Sequence, residues 1–286
     1  MSKLNQHEII PLPTDIGALG NRININTRKE HDVVDKTVSL KFAVALRDGK
    51  IYRQGIQGFY HVFKTIEILI NQELQQKPRS KTGDLLASFW DEKISRTEPL
   101  TRDLLYFYDN DPKKFEAPIR EEQIDFVNHI YKVHQEKPHV LLAYCHVMYL
   151  ALFAGGKVLR SSLAKATGLF PQVDGQTTEQ VSLYGTNLFQ FDVEDDQVLR
   201  QSYKREYELA TRNALTEQEK LDIIEEAKEI YKRNAEMIRG IERHNREKIT
   251  GKLSYKVAVY GYYIGLILAS IALLYFTRRI LNHLIF

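Results

Sequence analysis

Three features in this sequence have residue types and spacings that could do chemistry. His31 falls in line with Leu19, Ile23, Thr27, Val34 and Val38 at steps of three or four, one face of a helix. Its imidazole is therefore expected to point inward, either as a ligand or as a hydrogen-bonded core residue. Arg200 and Lys204 are four apart and share a helix face. They could hold an anion or simply be solvated. Gly155-Gly156 interrupts a run of good helix formers (Leu150, Ala151, Leu152, Ala154, Leu159, Ala164). Each glycine inside a helix costs about 1 kcal/mol relative to alanine. Such a pair is explained by close approach, of a second helix or of something flat, and it lets the helix bend.

Other chemistries find no support. The nine histidines form no HExxH, and there is no CxxC and no paired Glu-x-x-His. No phosphate-cradling glycine loop or nucleophile elbow is present. A net charge of +3 with no basic stripe interleaved with aromatics argues against nucleic acid. The single cysteine, Cys145, rules out a disulfide within the chain and suits a reducing compartment. It reads as a small buried filler.

The elements that must position these residues are helices. Residues 1–13, with Pro11 and Pro13, read as a flexible lead. Thr14 is a candidate cap for a helix running to about Asp35. Helices are expected over 41–48 and 51–75, broken near Gly49, and over 83–92, 99–109 and 119–136. Lys137-Pro138 opens an apolar helix with no charged residue from Val140 to Gly156. The segment 181–191 has no clear period. Helices resume at 193–213 and 216–249, the latter opened by the capping box Thr216-Glu217-Gln218-Glu219. No alternating strand pattern or repeat is found, so the 286 residues, 43% hydrophobic and 27% charged, read as one all-α domain over 14–250 and a tail over 251–286.

Within that tail Val257–Phe276 is twenty residues without a charge. As a helix it spans about 30 Å, the thickness of a bilayer core. Tyr255, Tyr260, Tyr262 and Tyr275 supply interfacial aromatics, and Arg243, Arg246, Lys248, Lys252 and Lys256 precede the span. With no apolar signal at the N-terminus, the expectation is a single-pass tail anchor in membrane lipid, with the domain in the cytosol. The endoplasmic reticulum membrane is the default for such a tail.

Taken together, one imidazole, a glycine backbone and two cations meet the needs of a flat, apolar, iron-bearing anion with carboxylates at its rim. Here the chain resembles the heme oxygenase family, in its fungal membrane-anchored branch. The resemblance is carried by ININTRKEHDVVDK around His31, GIQGFYHVFKTIE at 55–67 and LLYFY at 104–108, then by LLAYCHVMYLALFAGGKVL at 141–159, QSYKREY at 201–207 and IIEEAKEIYKRN at 223–234. It implies a heme oxygenase-like helical bundle with a single C-terminal transmembrane helix. His31 matches the axial ligand of the heme iron. Asp35 matches a carboxylate that hydrogen-bonds the ligand's other nitrogen, fixing its tautomer. Gly155 and Gly156 match the backbone of the distal helix over the heme. Arg200 and Lys204 match the cations that hold the propionates. Tyr231 and Asn234 match positions near the pocket, and a propionate lysine of the family falls on Asn24, unless Arg22 or Arg28 substitutes.

The departures lie on the distal side. The family pattern Gly-Asp-x-Ser-Gly-Gly reads here Ala151-Leu152-Phe153-Ala154-Gly155-Gly156. The aspartate that orders water and delivers a proton is Leu152. Its supporting arginine and tyrosine are Met148 and Phe63, and a tyrosine near the propionates is His146. Replacing three members of one network together avoids leaving buried groups unsatisfied.

The resemblance implies an enzyme that binds heme as both substrate and prosthetic group and opens it to biliverdin, ferrous iron and carbon monoxide. It would use O2 and electrons from NADPH through a membrane-bound reductase, recycling iron. Leu152 motivates an alternative, a heme-binding or heme-sensing protein with lost or altered turnover. A tail-anchored helical adaptor without heme is the third reading, since fold does not specify function.

Overall fold

The computed structural model of the chain describes residues 11–12, 14–45, 48–166, 168–251 and 253–285. Among them every regular element is helical, as the apolar periodicity requires. The expected lead 1–13 lies mostly outside the described residues. The chain divides into two compact units, Met1–Ile241 and Glu242–Phe286.

The first unit is organised by a long helix. Helices α1 (Leu19–Asn26) and α2 (Arg28–Ala45) lead into α3 (Gly49–Gln75), which packs against α4 (Lys81–Phe89), α5 (Thr97–Phe107) and α6 (Glu121–Glu136). Helix α3 starts where it does because the Asp48 carboxylate accepts from the Lys50 N–H at 3.0 Å, filling one of the orphan donors of the first turn. Gly49 follows because a Cβ there would sit 2.5 Å from the Leu169 carbonyl oxygen. Ile56, Phe63, Ile66 and Ile70 are buried along α3 at helical spacing and form the middle of the core.

The apolar helix expected from Pro138 is built in pieces. After a 3-10 turn (Pro138–Val140), α7 (Leu141–Tyr144) passes into a π-helical turn (Cys145–Tyr149) and then α8 (Leu150–Ala164). Helices α9 (Thr178–Tyr184), α10 (Asp196–Arg212) and α11 (Glu217–Gly251) complete this part of the chain. The Thr216 capping box is formed: the Thr216 N–H donates to Glu219 Oε2 at 2.6 Å and the Glu219 N–H donates to Thr216 Oγ1 at 3.2 Å.

Several expectations are corrected. The first helix begins at Leu19, not at Thr14, because Asp15 accepts from the Gly17 N–H and Asn21 Nδ2 donates to the carbonyls of Leu12 and Asp15, holding 14–18 in turns. It is two helices, not one, interrupted at Thr27, which has φ −107° and ψ 7°. Helix α2 continues to Ala45, so 41–48 is not separate, and Gly49 opens a helix instead of ending one. The irregularity of the apolar helix is the π-turn, while the glycine pair lies inside α8. The aperiodic 181–191 holds the end of α9, capped by a Thr177–Gln180 box, and a 3-10 turn, Asn187–Phe189.

In the second unit, α12 (Leu253–Ile285) contains Val259–Arg278, a 20-residue stretch of mean hydropathy 1.8 with none of it buried. It is long and apolar enough to cross a membrane, and it overlaps the span expected at 257–276.

Ile66 is fully buried at the centre of α3, so Ile66→Ala is expected to destabilise the folded unit by about 2–5 kcal/mol through lost transfer energy and a residual cavity. Urea denaturation of the full chain in detergent measures this; a loss below about 1 kcal/mol contradicts the placement.

Candidate functional site

His31 sits in the first turn of α2, just past the break at Thr27. Leu19, Ile23 and Thr27 form a buried stripe that does not extend to His31, one turn further on. Its side chain is 59% exposed, which corrects the expectation of an inward imidazole. The ring is not free to wander, because it meets Tyr231 of α11 edge-on, with centroids 5.7 Å apart at 73°. Burial raises the Tyr231 hydroxyl pKa, opposed by a hydrogen bond with the Thr27 side chain. His31 Nδ1 lies 3.8 Å from Asp32 Oδ1, too far for a hydrogen bond. Asp35 is exposed. Among the described contacts the carboxylate nearest His31 is Asp32, not Asp35.

Arg200 and Lys204 are brought together on α10. Lys204 is half-buried, and its pKa is lowered first by desolvation and then by the Arg200 charge. Among the described residues neither has an ion-pair partner. Two cations held partly out of water without a carboxylate form a site of positive potential that an anion relieves. Arg22 does not contribute to it, since its guanidinium is paired with Glu217. Arg28 is exposed.

On the other side the π-turn strains the hydrogen-bond ladder of the apolar helix. Hydroxyls from α10 fill the gaps: Tyr203 donates to the Cys145 carbonyl at 2.8 Å and Tyr207 to the Leu142 carbonyl at 3.0 Å. Tyr149, the last π residue, donates to Glu67 Oε1 at 3.0 Å. Within the turn His146 is buried, with its Nε2 3.0 Å from Asn24 Oδ1 of α1 and its Nδ1 without a partner. Gly20 makes the room, since a Cβ there would lie 2.9 Å from His146 Cε1. Burial, reinforced by Lys204, lowers the His146 pKa to about 4, so the ring is neutral at pH 7.

Gly155 and Gly156 both lie within α8. Gly156 faces Phe189, and a Cβ there would make ordinary contact at 3.7 Å. Leu152 is half-buried, while Phe63 and Met148 are buried. The polar network is not entirely gone, because Asn234 Nδ2 is 3.3 Å from the Met148 sulfur and Asn234 Oδ1 has no partner.

The spacing of residues 51–75 already puts Glu67 on the inward face of its helix, but sequence reasoning missed Arg96, Asp103 and the His146–Asn24 contact. A lone carboxylate among Leu100, Leu104 and Leu105 is a signal for Asp103, whereas Arg96 lies in the polar run 91–99 and carries none. A half-exposed imidazole, an unpaired cation pair and an apolar helix opposite are residues that fit a planar anion with an iron at its centre.

The class defined here is an all-α helical bundle followed by one apolar C-terminal helix. The heme oxygenase family model matches residues 18–240, most of the chain, so the chain belongs to the heme oxygenase family. It is 39% identical over 274 residues to the heme-binding protein HMX1 of Saccharomyces cerevisiae, covering 90% of this chain and 86% of that protein. It is 26% identical over 193 residues to a heme oxygenase of Porphyra purpurea, covering 66% of this chain and 73% of that one. Among solved structures, heme oxygenase-1 from the cyanobacterium Synechocystis in complex with heme superimposes with a TM-score of 0.66 at 17% identity, over 86% of this chain and 99% of that one. Heme oxygenase 2 from Chlamydomonas reinhardtii without heme gives a TM-score of 0.67 at 18% identity, over 78% and 97%. These structural likenesses are of fold, and the family supports heme binding.

Two outcomes are expected. His61 and His146 both titrate near 4 when folded, chiefly through burial, against 6.5 when free. The folded state then binds fewer protons than the unfolded one between those values. Stability therefore falls as pH drops from 6.5 towards 4, by about 3 kcal/mol for a fully buried imidazole. Thermal melts across that range should show the slope, and His146→Gln, which keeps a donor for Asn24, should reduce it; an unchanged slope rejects the assignment. Gly156→Ala should leave stability unchanged or raise it by up to about 1 kcal/mol, because the added methyl touches Phe189 without clashing and the helix gains propensity. A marked loss in the same melts contradicts that packing.

Proposed function

We propose that this protein is a membrane-anchored heme oxygenase. It binds heme at His31 and cleaves it to biliverdin, ferrous iron and carbon monoxide with O2 and electrons from NADPH through a membrane-bound reductase. The observation that carries the reading is the half-buried, unpaired Arg200–Lys204 site on α10, read with the accessible imidazole of His31 and the family match.

When bound, the heme supplies the oxygen chemistry of ring opening. The chain's own residues do simpler things. His31 offers a nitrogen to the iron, and Tyr231 limits the rotation of its ring through the edge contact. A ring nitrogen is made more basic by a carboxylate partner, and Glu30, Asp32 and Asp35 are the carboxylates within one turn of His31. Arg200 and Lys204 bind the propionates and set the in-plane rotation of the macrocycle. Leu152, Phe63 and Met148 supply an apolar wall that excludes water and offers no proton. Gly155 and Gly156 contribute backbone without side-chain bulk.

A second reading has a specific observation behind it. With Leu152 in place of an acid and Asn234 left only a thioether and an open carbonyl oxygen, the distal side lacks a proton donor. A heme-binding or heme-sensing protein without turnover fits that chemistry. The tail would place the domain on the cytosolic face of the endoplasmic reticulum membrane. Confinement there raises the effective concentration of an anchored reductase.

Hemin titrated into the full chain in detergent should give a histidine-ligated Soret band that His31→Ala abolishes. Failure of the wild type to bind hemin ends both heme readings. Adding the reductase and NADPH should bleach the band with biliverdin appearing. A stable band with no biliverdin overturns the enzyme in favour of the binder. Arg200→Ala with Lys204→Ala should weaken hemin binding about tenfold or more, the loss of two charge-assisted contacts, and unaltered binding removes the cation pair from the site.

A further inference from the structure

The segment after α9 is a short piece of chain that ought to be loose. It carries Gly185, a single 3-10 turn (Asn187–Phe189) and two partly buried residues, Gln190 and Phe191, before α10 begins. It is instead fastened by two buried charged side chains from α5, the helix packed against it. Asp103 on α5 is 0% exposed. Its Oδ1 accepts from the Asn187 N–H at 2.7 Å and from Asn187 Nδ2 at 2.8 Å, and its Oδ2 accepts from the Leu188 N–H at 2.9 Å. Arg96, the N-cap residue of α5, is 2% exposed. Its Nη1 donates to the Gln190 carbonyl at 2.7 Å and the Leu188 carbonyl at 3.3 Å, while Nε and Nη2 donate to the carbonyls of Ile94 and Lys93, each at 2.9 Å. The anion thus takes the free N–H groups of the turn and the cation takes its free carbonyls. A buried charge is tolerable only when so paired.

What the fastened segment touches gives it a purpose. The Arg96 guanidinium lies 4.2 Å above the Phe191 ring. The other face of Phe191 stacks on Phe153 of α8, with centroids 4.5 Å apart at 14°. Phe189 covers Gly156 of the same helix. Phe153 and Gly156 are one turn apart, so both contacts fall on one side of α8. At about 100° per residue, position 155 is turned about 200° from position 153. Apolar stacking alone would let α8 slide or tilt over this loop. The charges behind it remove that freedom.

We infer that Arg96 and Asp103 are positioning residues: acting through Phe191 and Phe189, they fix the seat of α8 and so the height of its ligand-facing side over the heme. The consequence for heme rests on the proposed function, whereas the seating of α8 does not. Both residues lie more than forty positions before α8 in sequence and neither touches the proposed ligand.

The experiment uses the full chain in detergent with Phe191→Leu, Phe191→Tyr and Asp103→Asn, and two readouts. The first is hydrogen–deuterium exchange without hemin. Phe191→Leu and Asp103→Asn should speed exchange of the amides of 150–160 about tenfold and leave those of α3 as they were, while Phe191→Tyr, which keeps the stack, should restore wild-type rates. Asp103→Asn disturbs a buried charge on which folding itself can depend, so Phe191→Leu, at a partly buried ring with no charge, carries the result. Unchanged exchange at 150–160, or an equal rise in α3, overturns the inference. The second readout is hemin: its Soret maximum, and its transfer rate to excess apomyoglobin. Phe191→Leu should shift the band and speed transfer about tenfold, with the tyrosine rescuing both. Altered exchange with unaltered hemin behaviour overturns the link from seat to ligand. A wild type that takes up no hemin ends the proposed function, and the exchange data still decide the seat.

Discussion

A carboxylate buried in an apolar core is tolerated only if its lone pairs are filled, and in this fold that requirement falls on Glu67. It projects from the middle of α3. It accepts from Ser95 Oγ at 2.5 Å, from the backbone N–H groups of Arg96 and Thr97 at 2.6 and 3.2 Å, and from the Tyr149 hydroxyl at 3.0 Å. Four donors come from two places: the start of α5, and the π-turn. The central helix therefore fixes both the element that carries Arg96 and Asp103 and the element that becomes α8. The negative charge also helps keep the Arg96 guanidinium protonated against a burial that lowers its pKa to about 10. If Glu67 moved, both the strut and the helix it supports would lose their reference.

The apolar helix is correspondingly built from borrowed bonds. A regular α-helix satisfies its own ladder, but a π-turn does not, and Tyr203 and Tyr207 of α10 supply the missing donors. Those tyrosines share α10 with Arg200 and Lys204. The helix proposed to hold the ligand's carboxylates is thus the one that holds the opposite wall together. His146 adds a third tie, to Asn24 of α1. The site is framed by hydrogen bonds that lie behind the surfaces a ligand would meet.

Much of this was legible beforehand and some was not, for physical reasons. Long amphipathic helices such as α3, α6 and α10 were readable because one face of each is buried and periodicity records it. The Thr216 box was readable because its donors and acceptors are three residues apart. The break at Thr27 was not, because it interrupts the helix without glycine or proline, and no periodicity told that the buried stripe stops short of His31. The turn at 187–189 was invisible for a different reason. Its stability comes from Asp103 and Arg96, more than eighty residues away, and no local pattern encodes such a contact. The glycine pair drew attention as a hinge, while the helix departs from regularity at Cys145–Tyr149, where the sequence shows neither glycine nor proline.

The distal wall shows the limit of reasoning by replacement. Substituting leucine, methionine and phenylalanine for polar partners suggests a network removed whole, since partial removal is costly. Asn234 is the counterexample inside the structure: buried, with its amide nitrogen on a thioether and its carbonyl oxygen without a partner. Its amide nitrogen donates to a thioether, which has no hydrogen to return, so the carbonyl oxygen is open to a donor from a ligand or water. The remaining polarity on this side is therefore an acceptor, not an acid. It can hold a water or a ligand's N–H or O–H in place, but it cannot give up a proton. The apolar replacements leave no acid at positions 63, 148 and 152, and the seat, the cations and the imidazole remain as the parts contributed by the chain.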